Sequence, residues 1–331
     1  MTLAQVFALY LEHRTPRKSA TEQKADKRRE ELWTRVLGKT KDPYKLSMGE
    51  WERFIDARSS GAIDARGNAM PIGERRPVRD RTIEEDCLWL RQVFAWAARW
   101  RTGSDNYLMR ENPARGFDAP HEANPRSPVA SQDRYEAVRG VSDQVVMGKG
   151  RSGRSYVSEL LDIVNGTGRR ISAVCQFRYE DLQLSATGQA PHGAIRWPAA
   201  TDKMGHETVA PLDPTTRMAL DRILHERPGI GAAPLFPSPE HPTVAMTRHL
   251  ADKWLRKAEK LAGLDPQRGS LWHAYRRKWA TERKHMPDVD VAVTGGWSPR
   301  SLQVLKSSYQ QADGETMLRV VLGAGELREA K

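Results

Sequence analysis

The chain has 331 residues, and its 53 Lys and Arg residues outnumber its 42 Asp and Glu residues, which gives a formal charge of +11. This length predicts two domains, and 39% hydrophobic residues with ten tryptophans exclude a disordered chain. The positive charge favours a polyanionic partner, and residues 1–120 and 121–331 share it with net charges of +5 and +6. Two interpretations stay open: both halves face the same polyanion, or an excess of this size only aids solubility.

The two cysteines, Cys87 and Cys175, lie far apart and form no Cys-x-x-Cys pair, which argues against a disulfide framework and a thiolate zinc site. No run of about 18 apolar residues occurs, and the start of the chain has no signal-peptide pattern. These features predict a cytoplasmic protein with no membrane segment. The sequence also has no P-loop and no histidine or acidic cluster with metal-ligand spacing, so it requires neither a cofactor nor a metal.

Residues 1–120 are predicted to be helical. Apolar residues recur at helical spacing near the start of the chain and again after a charge-rich stretch. The clearest helix is predicted over 82–100, where Thr82 and Glu85 form a capping-box pattern and apolar residues stripe one face. A proline-rich stretch with little apolar periodicity follows, which predicts a linker at 121–130.

Residues 131–331 are predicted to form a second domain, mostly helical with a small β-hairpin. Helices are expected over 156–164, 171–177, 215–225, 247–261 and 270–284. The period changes at 194–197 and 208–210, which suggests two short strands joined by the turn Asp202-Lys203-Met204-Gly205. The predicted fold class is therefore mainly α.

One helical segment carries a spacing with chemical meaning. His273 and Arg276 are three residues apart, which puts them on one helical face. With Ser270 as the expected N-cap, His273 lies in the first turn, where backbone N–H groups and the helix dipole favour an anion. This arrangement suits a phosphate, although the spacing alone more often means a solvated basic face with a packed histidine.

Five motifs in sequence order resemble the tyrosine recombinase, or phage integrase, family over residues 131–313. They are Thr167-Gly168-Arg169-Arg170-Ile171-Ser172, Asp202-Lys203-Met204-Gly205, the pair His273 and Arg276, Gly295-Gly296-Trp297-Ser298, and Tyr309 in Ser307-Ser308-Tyr309-Gln310-Gln311. Residues 79–117 are similar, less closely, to that family's helical core-binding domain. The resemblance implies a helical, SAM-like core-binding domain that binds DNA over 1–120, and a catalytic domain with a C-terminal tail over 131–331.

The resemblance also implies a catalytic site made of Arg170, Lys203, His273, Arg276, Trp297 and Tyr309. The two arginines would hold the non-bridging oxygens of a phosphodiester, and Lys203 would protonate the departing 5′ oxygen. His273 would assist proton transfer, and Trp297 would donate its indole N–H. Tyr309 would attack the phosphorus and form a 3′-phosphotyrosine without a metal.

The implied activity is site-specific cleavage and rejoining of double-stranded DNA, with integration or excision of a mobile element as its use. The implied assembly is a tetramer on two DNA sites, with proteins that bend DNA or set direction as further partners. One alternative is a Xer-type resolvase or a type IB-like DNA-relaxing enzyme. The other is a non-catalytic DNA-binding regulator on the same fold. It stays open because Ala173 stands where the family commonly has an acidic residue, and because the interval from Trp297 to Tyr309 is longer than expected.

Overall fold

A computed structural model describes the chain except for residues 104–105, 124–126, 149–152, 203–204, 268–270, 301, 313–316, 319 and 322–331. The chain divides into two compact units, Met1–Pro125 and Arg126–Lys331. The described part contains twelve α-helices and one three-stranded sheet, so the predicted fold class, mainly α, is confirmed. None of the helices in this part is both long and apolar enough to cross a bilayer.

The first unit contains the helices α1 (Leu3–His13), α2 (Ala20–Leu37), α3 (Met48–Ser59) and α4 (Asp80–Ala97). Capping boxes begin α1, α2 and α3, because a Thr or Ser N-cap and the side chain three residues later exchange hydrogen bonds with each other's backbone. The core is rich in aromatic side chains. Trp33 stacks on Trp51 with ring centroids 5.6 Å apart, and both indoles are fully buried.

Helix α4 differs from its prediction at both ends. It begins at Asp80, after Arg79, and no side chain caps it, so the capping box of Thr82 and Glu85 predicted from the sequence is wrong. Asp80 in the first turn favours the earlier start because an acidic side chain stabilises the positive end of the helix dipole. The helix is held to its neighbours by the fully buried Asp86, whose carboxylate pairs with Arg28, Arg29 and Arg58.

The second unit contains eight helices in its described part. They are α5 (Gln132–Val141), α6 (Val157–Thr167), α7 (Ile171–Val174), α8 (Pro214–Glu226), α9 (Arg248–Leu261), α10 (Trp272–Glu282), α11 (Asp288–Gly295) and α12 (Gln303–Ser308). Helix α6 is buried along most of its length and packs against α8 and α10. It therefore forms the centre of the unit, and α10 is fixed directly against it.

The sheet consists of β1 (Leu182–Gln183), β2 (Ala194–Trp197) and β3 (Thr208–Pro211), all antiparallel, with β2 in the middle. The hairpin predicted from the sequence is confirmed, with Trp197 opposite Thr208 nearest to the turn. Strand β1 has only two residues, too short for any alternation to be recognised in the sequence. Two residues of the predicted turn, Lys203 and Met204, lie outside the described residues.

Candidate active site

Helix α10 carries two of the predicted site residues, His273 and Arg276. The Arg276 side chain is 1% exposed, and its Nη1 donates hydrogen bonds to the carbonyls of Gly168, at 2.5 Å, and Gly295, at 2.7 Å. These carbonyls end α6 and α11, where the partial negative charge of a helix C-terminus favours a cation. Two helix ends therefore fix this guanidinium inside the unit.

Gly168 is required by the same arrangement. Its φ is +64°, in the left-handed region that closes α6. A Cβ at this position would lie 2.2 Å from the ring of Trp279, whose Nε1 donates to the carbonyl of Gly166. Only glycine allows α10 to approach the end of α6 this closely. The Thr167-Gly168 part of the first motif thus has a packing role beside the arginines.

The C-terminal end of α11 is covered by three arginines. Arg169 donates from Nε to the carbonyl of Thr294, at 2.6 Å, and from Nη2 to that of Val293, at 2.8 Å. The next two carbonyls accept from Arg276 and Arg170, the latter through Nη1 at 3.0 Å from Gly296. Four consecutive carbonyls are thus satisfied by side chains, and the guanidiniums of Arg170 and Arg276 are drawn to one place.

Arg169 also joins this helix end to the hairpin. Its Nη1 lies 3.5 Å from a carboxylate oxygen of Asp202, and its Cζ lies 4.7 Å from the ring centroid of Trp197. Arg169 is 3% exposed, so this pair is buried. Sequence reasoning assigned Arg169 no role, and its place directly before Arg170 is the one signal that pointed to it.

Tyr309 follows α12 and reaches the same cluster. Its Oη lies 3.5 Å from His273 Nδ1, and its ring meets Trp297 edge-on with centroids 4.8 Å apart. The Cζ of Arg276 lies 3.6 Å from the ring centroid of Trp297 and 5.2 Å from that of Tyr309. The structure thus brings together His273, Arg276, Trp297 and Tyr309, with Arg170 adjoining through Gly296. Lys203 is outside the described residues.

The surroundings keep His273 neutral. Burial, chiefly, and the positive charges of Arg276, Arg248, Arg277 and Arg170 together lower the pKa of His273 to about 4. At neutral pH one ring nitrogen is therefore free to accept a proton. Burial also lowers the pKa of Arg276, to about 9, which leaves its guanidinium charged at neutral pH.

Several donors in this cluster have no acceptor. The Nε and Nη2 atoms of Arg276 and the Nε1 atom of Trp297 are buried without a hydrogen-bond partner among the described residues. Buried donors in proteins are normally paired, so these N–H groups are available to an acceptor that binds in the site. The oxygens of a phosphate are suitable acceptors for guanidinium and indole N–H groups.

A groove of about 740 Å³ lies beside His273, which forms part of its lining. Helix α9 lines it with three basic residues, Arg248, Arg256 and Lys260, and with two less exposed acidic ones, Asp252 and Glu259. The exposed face of α9 is therefore basic. It gives the second unit a surface for a polyanion next to the cluster.

Two further residues of α10 contact the Tyr309 segment and were missed by the sequence analysis. Arg277 Nε donates to the carbonyl of Ser308 at 3.0 Å, and Thr281 Oγ1 donates to that of Tyr309 at 3.0 Å. Their spacing places them on the same helical face as His273, since they follow it by four and eight residues, but it does not reveal their carbonyl partners.

Solved structures similar to this chain are integrases. The Tn1549 transposon integrase in complex with circular intermediate DNA matches with a TM-score of 0.67 and 16% identity, over 97% of this chain and 99% of that chain. A lambda integrase dimer bound to a COC′ core site matches with a TM-score of 0.68 and 14% identity, over 95% of this chain and 79% of that chain. The sequence matches no protein-family model and no curated protein.

These two integrases are tyrosine recombinases, and the chain has their fold. The resemblance to the tyrosine recombinase family drawn from the five motifs is thereby confirmed at the level of the fold.

Proposed function

We propose that this chain is a tyrosine recombinase that cleaves and rejoins double-stranded DNA through Tyr309 and serves to integrate or excise a mobile element. The observation that carries the proposal is the distance of 3.5 Å between Tyr309 Oη and Nδ1 of a neutral His273, beside the buried cation of Arg276. A tyrosine hydroxyl has an ordinary pKa near 10 and needs a proton acceptor to become a nucleophile. His273 supplies that acceptor.

The reaction conserves the phosphodiester. As Tyr309 Oη bonds to the phosphorus, its proton passes to His273 and the bond from phosphorus to the 5′ oxygen breaks. Lys203 gives the 5′ oxygen its proton, and the phosphoryl group stays on the enzyme as a 3′-phosphotyrosine. A 5′-hydroxyl from another strand then attacks the phosphorus, Tyr309 leaves, and the strand is joined without ATP.

The arginines stabilise the negative charge that grows on the non-bridging oxygens. Arg276 is held in advance by two backbone carbonyls, and Arg170 by one, so little reorganisation is needed when the charge develops. Trp297 Nε1 adds a neutral donor.

Double-stranded DNA is the proposed partner. The net charge of +11 and the basic face of α9 support it, and the similar integrase structures are described with DNA. Binding is expected to weaken with salt, by about 0.9 in the logarithmic slope for each phosphate neutralised. Replacement of Arg256 on α9 by Ala should reduce that slope by about one unit and leave the fold intact, because this side chain is exposed.

The segment after Tyr309 supports a proposed tetramer on two DNA sites. Four of its apolar side chains are 54% to 81% exposed, namely Met317, Leu318, Val320 and Val321. An exposed apolar patch of this kind marks a protein interaction surface. Truncation before residue 314 should therefore abolish tetramers on DNA, as measured by light scattering, while single-site DNA binding persists. The further proposed partners are proteins that bend DNA or set the direction of recombination. The proposed location is the cytoplasm.

A strand-transfer assay separates the proposed activity from its rivals. Two duplexes that carry the junction sequence of the element, one of them labelled, are incubated with the protein, and a supercoiled plasmid with the same junction is treated in parallel. A recombinase yields labelled product of exchanged length. A relaxing enzyme changes only the plasmid topology, and a regulator binds both substrates and changes neither.

A further inference from the structure

Three residues on one face of α10 contact the segment that contains Tyr309. His273, Arg277 and Thr281 are spaced by four residues, so they form a stripe along the helix. The first lies by the tyrosine hydroxyl, the second by the peptide before the tyrosine, and the third by the peptide after it. One helix therefore contacts the tyrosine at its hydroxyl and on both sides of its backbone.

Arg277 fixes the peptide that precedes Tyr309. Its Nε donates to the carbonyl of Ser308 at 3.0 Å, and its Nη1 donates to the carbonyl of Pro128 at 3.3 Å. The same guanidinium lies 5.7 Å from the ring centroid of Tyr309. Because a guanidinium is a rigid planar fork, a bond at each end holds the carbonyl of Ser308 at a defined distance from α10.

Thr281 fixes the peptide that follows Tyr309. Its Oγ1 donates to the carbonyl of Tyr309 at 3.0 Å and accepts from the backbone N–H of Gln311 at 3.2 Å. A threonine within a helix often bonds to a carbonyl of its own preceding turn. Here the hydroxyl, only 6% exposed, bonds instead to a different segment and uses both its donor and its acceptor capacity.

Apolar packing holds this segment weakly. Helix α12 has six residues, and Leu305 is the one buried side chain among them, whereas Val304 is 51% exposed. Tyr309 lies just past the end of this short helix and is itself only partly buried. The polar contacts from α10 therefore act together with the packing of the tyrosine ring on Trp297 to place this residue.

We propose that Arg277 and Thr281 are positioning residues that hold the Tyr309 nucleophile against the same chain's His273 and Arg276. The inference rests on the proposed function, since it assigns these contacts to the nucleophile of that reaction. Attack on phosphorus requires the hydroxyl opposite the departing 5′ oxygen, and a misplacement of about 1 Å costs on the order of a hundredfold in rate.

Thr281→Val tests the inference, because valine keeps the shape of threonine and lacks the hydroxyl. We expect single-turnover formation of the covalent complex on nicked DNA to fall about tenfold to a hundredfold, with an unchanged dissociation constant for DNA. Thr281→Ser, which retains the hydroxyl, should restore most of the rate. Ser307→Ala is the matched control, because its hydroxyl bonds to Gln303 within α12 and does not reach α10.

A second measurement shows whether Thr281 positions the tyrosine or instead maintains the arginines that bind the phosphate. In a Tyr309→Phe background, hydrogen peroxide serves as the nucleophile: the hydroperoxide anion bonds to the phosphorus, the bond to the 5′ oxygen breaks, and that oxygen takes a proton. This reaction needs the arginines but not a placed tyrosine. Thr281→Val should therefore leave its rate unchanged, and an equal fall in both reactions would overturn the inference.

Arg277→Lys provides an independent variant should Thr281→Val fail to fold. Lysine keeps the positive charge for DNA but has no Nε donor in the guanidinium geometry, so adduct formation should slow about tenfold at unchanged DNA affinity. Wild-type rates in both folded variants would overturn this inference alone. Absence of an adduct with the unmodified chain would instead overturn the proposed function.

Discussion

The central carbon of the Arg276 guanidinium lies 3.6 Å from the centroid of the Trp297 indole. The contact helps to explain how a cation that is 1% exposed is kept in the core, because the face of an indole attracts a cation. No carboxylate in the described part of the chain forms an ion pair with Arg276, which donates to two backbone carbonyls and also lies 5.2 Å from the ring centroid of Tyr309. The charge therefore remains available to an anion such as a phosphodiester.

Replacing Arg276 or Arg170 by alanine should lower the stability of the protein by different amounts but reduce its activity by similar factors. Arg276→Ala leaves the carbonyls of Gly168 and Gly295 unpaired and is expected to lower the free energy of unfolding by about 2–4 kcal/mol. Arg170 is partly exposed and bonds one carbonyl, so Arg170→Ala should cost about 1 kcal/mol or less. Each should reduce adduct formation by about 10²–10³. Urea unfolding and single-turnover assays measure both effects, and equal losses of stability would contradict this account of Arg276.

The stability of the second unit should depend on pH through His273. Its pKa is about 4 in the folded chain, chiefly because of burial, against an ordinary value near 6.5. Between these values the unfolded chain binds a proton that the folded chain does not, so stability falls as the pH drops through this window. His273→Gln should unfold with a weaker pH dependence between pH 4 and 6.5. Identical profiles for wild type and variant would be inconsistent with the buried neutral imidazole.

DNA binding should raise the pKa of His273. A phosphate beside His273 favours the imidazolium, so the pKa of His273 should rise when DNA binds. By linkage, the affinity of the wild-type protein for DNA should increase more steeply than that of His273→Gln as the pH falls through the raised pKa of the complex toward 4. Titration of the ring resonances by NMR, with and without DNA, measures the shift directly. An unchanged pKa would mean that no phosphate approaches this ring.

Because the Trp279 ring lies so close to Gly168, adding one methyl group at this position should lower the stability strongly. Gly168 and Gly231 both have positive φ, but a Cβ meets the Trp279 ring at 2.2 Å in the first case and has nothing within 4 Å in the second. Backbone strain is therefore common to both alanine variants. We expect Gly168→Ala to lose about 1–3 kcal/mol more stability than Gly231→Ala, because of overpacking. Equal losses in urea unfolding would show that Trp279 moves away freely.

Helices with one strongly apolar face were the ones that could be predicted from the sequence. Helix α9 was predicted over 247–261 and is found at Arg248–Leu261, with Thr247 as its N-cap, because its apolar and basic faces alternate clearly. The start of α4 was placed at a capping pattern that the helix does not use. Strand β1 is formed by pairing with β2 rather than by any local pattern, so its two residues gave no signal.

The candidate site as a whole was predicted from the order of the motifs, whereas spacing alone pointed only to the pair His273 and Arg276. The order of the five motifs brought Tyr309 and His273 together in the prediction, although 36 residues separate them along the chain. The contacts of Arg169 and Thr281 were not predictable, because their partners are backbone carbonyls. Every residue has a carbonyl, so no residue type marks the ones at the end of α11 or beside Tyr309.

The most direct test of the account is covalent capture of DNA on a nicked suicide substrate that carries the junction sequence. The strand that would rejoin is lost in this design, so a cleaved intermediate accumulates and is seen on a denaturing gel. We predict an adduct with the wild-type protein that is absent with Tyr309→Phe, while both proteins bind the DNA equally. An adduct that persists in Tyr309→Phe, or salt-sensitive DNA binding by the wild-type protein with no adduct, would contradict the assignment of Tyr309 as the nucleophile.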